Sequence, residues 1–226
     1  MILTNILYRT FFIKAAQYGT AFTIEVGGVE YLVTARHLLD TSVSEFELKI
    51  FHNEAWLPLP VKVVGHAKGE IDISVLRLPT QLTHQEMVVT PSMANLALGQ
   101  DVFFTGFPFK MWNDVGDLFG GRPCPFAKRG TVSSFELGTG KPQILYIDAI
   151  NNEGFSGGPL FFYPMEKPNE LRIAGVVSKF RVESEPVIDP NGNRTGMTVS
   201  YNTGFLVAYS INHVLELIRP PTASPP

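Results

Sequence analysis

The sequence is poor in cysteine, in charge and in long apolar runs, and each shortage removes a class of protein. One cysteine, Cys124, in 226 residues has no partner for an intramolecular disulfide and cannot supply a thiolate zinc cage. An extracellular enzyme stapled by disulfides is therefore not expected. Charged residues make up only 17%, and 18 Lys+Arg against 21 Asp+Glu leave a net charge of −3. Such a balance offers no broadly basic surface for nucleic acid. No apolar run approaches the roughly 18 residues of a membrane span. The first nine residues, Met1 to Arg9, lack the basic, apolar and small-residue regions of a secretory signal. The expectation is a cytoplasmic protein with neither nucleic acid nor membrane as partner.

What the chain does have is β-forming material. Hydrophobic residues reach 45%, with 17 Phe and 7 Tyr, punctuated by 20 Gly and 17 Pro. Tyr18–Val26 and Val29–Ala35 flank Gly27-Gly28, a pair suited to a tight hairpin. Further strand-like runs are Phe46–Phe51, Pro60–Gly65, Ile73–Leu78, Asp101–Gly106, Gly130–Leu137, Gln143–Ile150, Pro159–Tyr163, Leu171–Phe180 and Met197–Val207. That rhythm belongs to an all-β barrel or sandwich rather than to βαβ units. Ser210–Arg219 reads as a helix: Ser210 can cap it, Ile211, Val214, Leu215 and Ile218 share a face, and Pro220-Pro221 ends it. Residues 79–100 carry fewer strand signals and suit a connection between two halves. Phe109–Pro125 and Glu183–Gly196 read as extended loops, and the tail 220–226 as frayed.

Three segments carry chemistry. In Asn152-Glu-Gly-Phe-Ser-Gly-Gly-Pro-Leu160 a serine stands among glycines, as a sharp backbone bend that projects its hydroxyl would require. Tyr31-Leu-Val-Thr-Ala-Arg-His-Leu-Leu39 places His37 just after an apolar strand, unlike His52, His66, His84 and His213. Glu70-Ile-Asp-Ile-Ser-Val-Leu-Arg-Leu78 sets Asp72 at the start of an apolar strand, where a buried acid needs a partner such as an imidazole N–H. Gly-Phe-Ser-Gly-Gly also fits the serine elbow of α/β-hydrolases, whose order Ser, Asp, His would be met by Ser156, Asp189 and His213. That reading needs a helix after the serine, yet Pro159 and Leu160-Phe-Phe-Tyr163 read as strand.

Taken together the segments resemble trypsin-like serine proteases, and more particularly the bacterial HtrA (Deg) type. The resemblance runs over roughly residues 19–218. It rests on Gly19-Thr-Ala-Phe22, Leu32-Val-Thr-Ala-Arg-His37, Asp72-Ile-Ser-Val-Leu76, Asp148 to Leu160, and Asn202-Thr-Gly-Phe-Leu-Val207. The order His37, Asp72, Ser156, with gaps of 72 − 37 = 35 and 156 − 72 = 84, suits that compact branch. The resemblance implies an all-β chain of two six-stranded antiparallel barrels, the first over about 1–85 and the second over about 95–209, then a helix over 210–219. It implies a serine endopeptidase in which His37, Asp72 and Ser156 form the catalytic triad and the amides of Gly154 and Ser156 the oxyanion hole. Ser178, Lys179 and Phe180 would form the strand on which a substrate docks. Ile150 would sit on the pocket floor and favour cleavage after small or aliphatic uncharged residues. The partner is a protein or peptide substrate, with a regulatory protein partner as a further expectation, and neither metal nor cofactor is needed.

Two departures stand out. Digestive relatives carry Asp before the serine, where a freshly cut N-terminus pairs with it, and HtrA-type enzymes usually carry Asn-Pro-Gly-Asn-Ser. This chain has Glu153 and Phe155 instead. Phe155 cannot form an ion pair, so the oxyanion loop is expected to be ordered by packing, with Phe155 among Phe109–Pro125, or by a bound partner. The altered loop also keeps open a rival reading, a protease fold used as a peptide-binding or scaffold module with the triad idle. No PDZ module is expected after the barrels.

Overall fold

The computed structural model describes residues 4–138 and 140–219. The described part opens with a short helix, α1 (Thr4–Tyr8), which the sequence pattern did not announce, and a strand, β1 (Thr10–Lys14), which it did not delimit. β2 (Tyr18–Val26) and β3 (Val29–Thr34) form the expected hairpin. Gly27 and Gly28 both take positive φ, 62° and 75°, as a two-residue turn matched to strand twist demands. β4 (Glu45–His52), β5 (Ala55–His66) and β6 (Ser74–Arg77) complete a closed barrel in the order β1-β2-β3-β6-β5-β4. Alternation along these strands sends Phe11, Ile13, Ala21, Leu32, Leu48, Leu59, Val61 and Leu76 to the inside.

The second half is a ring built from β8 (Asp101–Gly106), β9 (Phe126–Glu136), β10 (Ile144–Asp148), β11 (Pro159–Phe162), β12 (Arg172–Ile188) and β13 (Arg194–Ser210). Neighbours run β11-β8-β9-β10-β13-β12, and a β11–β12 pairing closes the circuit. A two-residue strand, β7 (Thr90–Pro91), lies parallel to the start of β12, within the connection between the halves. Val102, Phe104, Val132, Leu145, Ile147, Leu160, Phe162 and Leu206 fill this ring. A third apolar cluster mates the two halves: Phe22, Ile24, Val33 and Val75 meet Phe161, Ile173, Val176 and Tyr209. The final helix, α2 (Ile211–Ile218), adds Ile211 and Val214 to that seam. Ser210 caps α2, its Oγ accepting the Asn212 N–H at 3.1 Å. Pro220, Pro221 and the rest of the tail lie outside the described residues.

One expectation is corrected. Glu183–Gly196 is not an extended loop but the far part of the β12–β13 hairpin, turning at 189–193. Asp189 Oδ1 accepts the Asn191 and Asn193 amides there, at 2.9 and 2.8 Å. Residues 191–201 are all exposed, so neither face of the ribbon is buried and no apolar alternation marks it as strand. Phe109–Pro125 is largely irregular, with short 3₁₀ turns at Pro108–Lys110 and Gly116–Phe119 and one bridge between Asn113 and Cys124. Among the described residues no helix is long and apolar enough to cross a membrane.

Candidate active site

β3 ends at Thr34 and passes into a 3₁₀ turn, Arg36–Leu38, that carries His37. Thr34 pairs with Ser74 in the β3–β6 ladder, so this turn faces the residues just before β6, where Asp72 lies. The His37 backbone N–H donates to Asp72 Oδ1 at 2.9 Å, and His37 Nδ1 lies 2.7 Å from Oδ2. Ser178, on β12, donates its hydroxyl to the same Oδ2 at 2.6 Å. Burial pulls the Asp72 carboxyl upward, but the bonds from His37 and Ser178 and the nearby imidazole outweigh it and hold the group below its usual range. Arg36 fixes the neighbouring turn by donating to Gly69 O at 2.7 Å.

Ser156 sits in the turn between β10 and β11, flanked by Gly154 (φ 99°) and Gly157 (φ 84°). A Cβ at Gly157 would collide with the Thr20 carbonyl, and one at Gly154 with the Phe107 carbonyl. These two glycines therefore let the serine turn press against both halves of the molecule. Phe155 is fully buried and meets Phe104 edge-on, centroids 5.0 Å apart. It packs with the core of the second ring, not among Phe109–Pro125, because its side chain drops inward from the turn while that segment lies outside. Ser156 Oγ donates to the Ser178 carbonyl at 2.7 Å. Ser178 thus touches both Asp72 and Ser156, through its hydroxyl and its carbonyl respectively. Among the described residues Ser156 Oγ makes no hydrogen bond to His37.

The peptide ahead of the serine has a defined orientation. Phe109 N–H donates to Glu153 O at 2.9 Å. In a trans peptide the following N–H points the opposite way, so the Gly154 amide faces away from Phe109. Thr20 braces the turn from the first barrel: its Oγ1 donates to Gly154 O at 2.6 Å and its N–H to Ser156 O at 3.0 Å. The amides of Gly154 and Ser156 have no acceptor among the described residues, leaving two donors in one bend. Thr20 and Phe109 were not singled out from the sequence. Phe109 and Lys110 both hold positive φ, 53° and 63°, which neither residue type advertises.

The remaining expected site residues are dispersed. Ser178 is buried, Lys179 exposed and Phe180 half-buried along β12. Ile150, expected on a pocket floor, is 61% exposed, while its neighbour Asn151 is 1% exposed. Lys128 donates to Ile150 O at 2.6 Å and to Asn152 Oδ1 at 2.7 Å. His213 is engaged on α2 by the Gln143 N–H and by Glu216, and Asp189 by its own turn. Ser156 leads into strand β11 rather than a helix, so the α/β-hydrolase arrangement is absent.

No curated protein sequence matches the chain. Its fold resembles that of the Rv3671c protease of M. tuberculosis in an inactive form, with TM-score 0.57, 16% identity, and 94% of this chain and 88% of that one covered. The MamO protease domain of Magnetospirillum magneticum, apo form, gives TM-score 0.55 at 17% identity, with 95% and 98% covered. The HtrA-type protease AlgW, solved with a tripeptide, also gives 0.55 at 17%, with 95% of this chain and 62% of that one covered. At such identities the likeness is one of fold. The sequence pattern of the trypsin-like peptidase domain matches residues 19–162, a span that holds His37, Asp72 and Ser156. The protein belongs to the trypsin-like peptidase domain family.

Proposed function

We propose that the protein is a serine endopeptidase acting through His37, Asp72 and Ser156. The observation that carries this reading is the two-point contact of His37 with Asp72, beside a serine whose turn leaves two amide donors free. In the reaction, Ser156 Oγ attacks the scissile carbonyl carbon while His37 Nε2 takes its proton. The oxygen that gains charge is held by the Gly154 and Ser156 amides. The C–N bond then breaks as His37 returns the proton to the leaving amine, and water repeats the sequence on the acyl-enzyme. Asp72 holds the imidazole tautomer and stabilises its charged form. β12 at Ser178, Lys179 and Phe180 supports the acyl side of an extended peptide, as a sheet edge does. AlgW was solved with peptides bound, which supports a peptide substrate. With Ile150 exposed rather than on a pocket floor, the expected preference for small or aliphatic uncharged residues before the cut, like the expected regulatory partner, has no support in the geometry.

A second reading, an idle fold that only binds peptides, is favoured by one feature: Ser156 Oγ is bonded to Ser178 O instead of His37. On the peptidase reading, the Ser156 side chain must turn from Ser178 toward His37 before it can act. A fluorophosphonate probe decides between them. Labelling of wild-type protein, lost in Ser156→Ala and His37→Ala, supports the peptidase, and both variants should lose turnover by roughly a millionfold. No labelling, with peptide binding retained, supports the idle module.

A further inference from the structure

Three lysines and an aromatic shelf gather around Tyr18, and the proposed triad does not use them. Outward-facing positions of the first barrel build the shelf. In the β1–β2 ladder Lys14 pairs with Tyr18, and in the β1–β4 ladder Lys14 pairs with Lys49. Phe51 and Trp56 pair across the next ladder. From the second half, Phe107 stacks on Phe12 at 4.8 Å, Trp112 meets Phe51 at 4.9 Å, and Lys110 reaches over the Tyr18 ring at 4.4 Å. Lys14 lies over the same ring, 5.0 Å from its centroid. None of Lys14, Lys49 and Lys110 takes part in an ion pair among the described residues. Like charges directly opposite across a ladder, as Lys14 and Lys49 are, destabilise a sheet. Their charge is felt at Tyr18, whose phenol is held below its usual range, first by its bond with Lys14 and then by all three cations.

The shelf is continuous with the candidate site. Gln17 Nε2 donates to His37 O at 3.4 Å, and Thr20 N–H holds Ser156 O at 3.0 Å, so Tyr18 stands between the histidine turn and the serine turn. Phe109, next to Lys110, holds the Glu153 carbonyl. If β12 carries the acyl side of a peptide, the leaving-group side must run past Tyr18 and Lys110. We propose that this shelf is a subsite for the leaving-group side of the substrate and selects an acidic segment there, carboxylates meeting Lys14, Lys49 and Lys110 and an apolar side chain lying on Tyr18, Trp56 and Trp112. The proposal rests on the peptidase reading for its location and on the unpaired cations for its chemistry. An acidic occupant offsets the lysine–lysine repulsion and gains charge-assisted contacts with three cations.

The test uses full-length protein and peptides identical before the cut bond, bearing Glu, Gln or Lys at the second and third positions after it. The ratio of kcat/KM should favour Glu over Gln by about tenfold or more and Gln over Lys, shrinking as salt rises. Lys14→Gln, Lys49→Gln and Lys110→Gln combined should bring the Glu/Gln ratio to about one. Equal rates for Glu and Gln peptides in wild-type protein would overturn the subsite. Trp56 and Trp112, the chain's two tryptophans, give a readout that needs no turnover. Titrating Ser156→Ala protein with the Glu peptide should change their fluorescence saturably, and the triple Gln variant should weaken that binding about tenfold. If no peptide is cleaved, the peptidase reading fails while the titration still decides the subsite. Titration curves that are the same for Glu and Gln peptides would overturn it.

Discussion

Asp72 receives the His37 backbone N–H, the imidazole Nδ1 side and the Ser178 hydroxyl, and these offset the cost of placing a carboxylate under the cleft. A carboxyl held below its unfolded value, about 4, contributes stability that is fully present above that pH. The contribution is lost as pH falls through the lower folded value. Ser178→Ala removes one donor and leaves the carbonyl that Ser156 uses. Its Asp72 value should rise toward the unfolded one, so the part of the thermal stability lost on acidification should be smaller and fully lost at a higher pH. The cost at neutral pH should be about 1–2 kcal/mol, read from denaturant unfolding; a pH dependence of stability identical to wild type would show that the hydroxyl does not matter. The sequence placed His37, Asp72 and Ser156 because their motifs are local and ordered. It offered Ser178 only as part of a docking strand, since a hydroxyl's partner 106 residues away leaves no local pattern.

Among elements, the irregular segment from Phe107 to Lys110 governs the serine turn. Its Phe109 N–H fixes the Glu153–Gly154 peptide, and with it the direction of one proposed oxyanion donor. Proline cannot supply that N–H or take φ of 53°. Phe109→Pro should therefore lower kcat by about a hundredfold or more with a smaller change in KM, while the far-ultraviolet dichroism of the barrels stays as in wild type. An unchanged kcat would show that the turn is held without the Phe109 bond. β2 and β8 were legible almost to the residue, β2 because Gly27-Gly28 bounds a long β-forming run. β1 was not delimited because Thr10–Lys14 is a short apolar run without alternation, four of its five residues being buried, on both faces. The outer β12–β13 ribbon was missed for the converse reason, having no buried face at all.

In the whole molecule, the N-terminal segment is an anchor spanning both halves. The Arg9 and Glu30 side chains are 2% and 6% exposed, and Arg9 Nη1 lies 3.8 Å from Glu30 Oε1. Glu30 also accepts the Leu82 and Thr83 amides, at 2.6 and 3.1 Å, so the pair pins the start of the connection between the halves. Thr10 Oγ1 lies 2.9 Å from Thr105 Oγ1 in β8, and Tyr8 stacks on Phe119. Arg9→Ala leaves a buried carboxylate without its cation and should cost about 3–5 kcal/mol, a fall in Tm of roughly 10 °C for a chain of this size. Adding Glu30→Gln should recover part of the loss, measured by calorimetry on both variants; full additivity of the two changes would mean the pair is not coupled. The ribbon beyond Val182 has a further consequence. The barrels close on themselves, but there each strand pairs only with the other, so two rows of backbone donors and acceptors stay open along exposed Val182, Ile188, Met197 and Val199. Pro186 removes one donor from that border, and Glu183 and Glu185 set like charges against an approaching copy. Those three residues thus act as guards against fibril-like stacking along the open border of the ribbon.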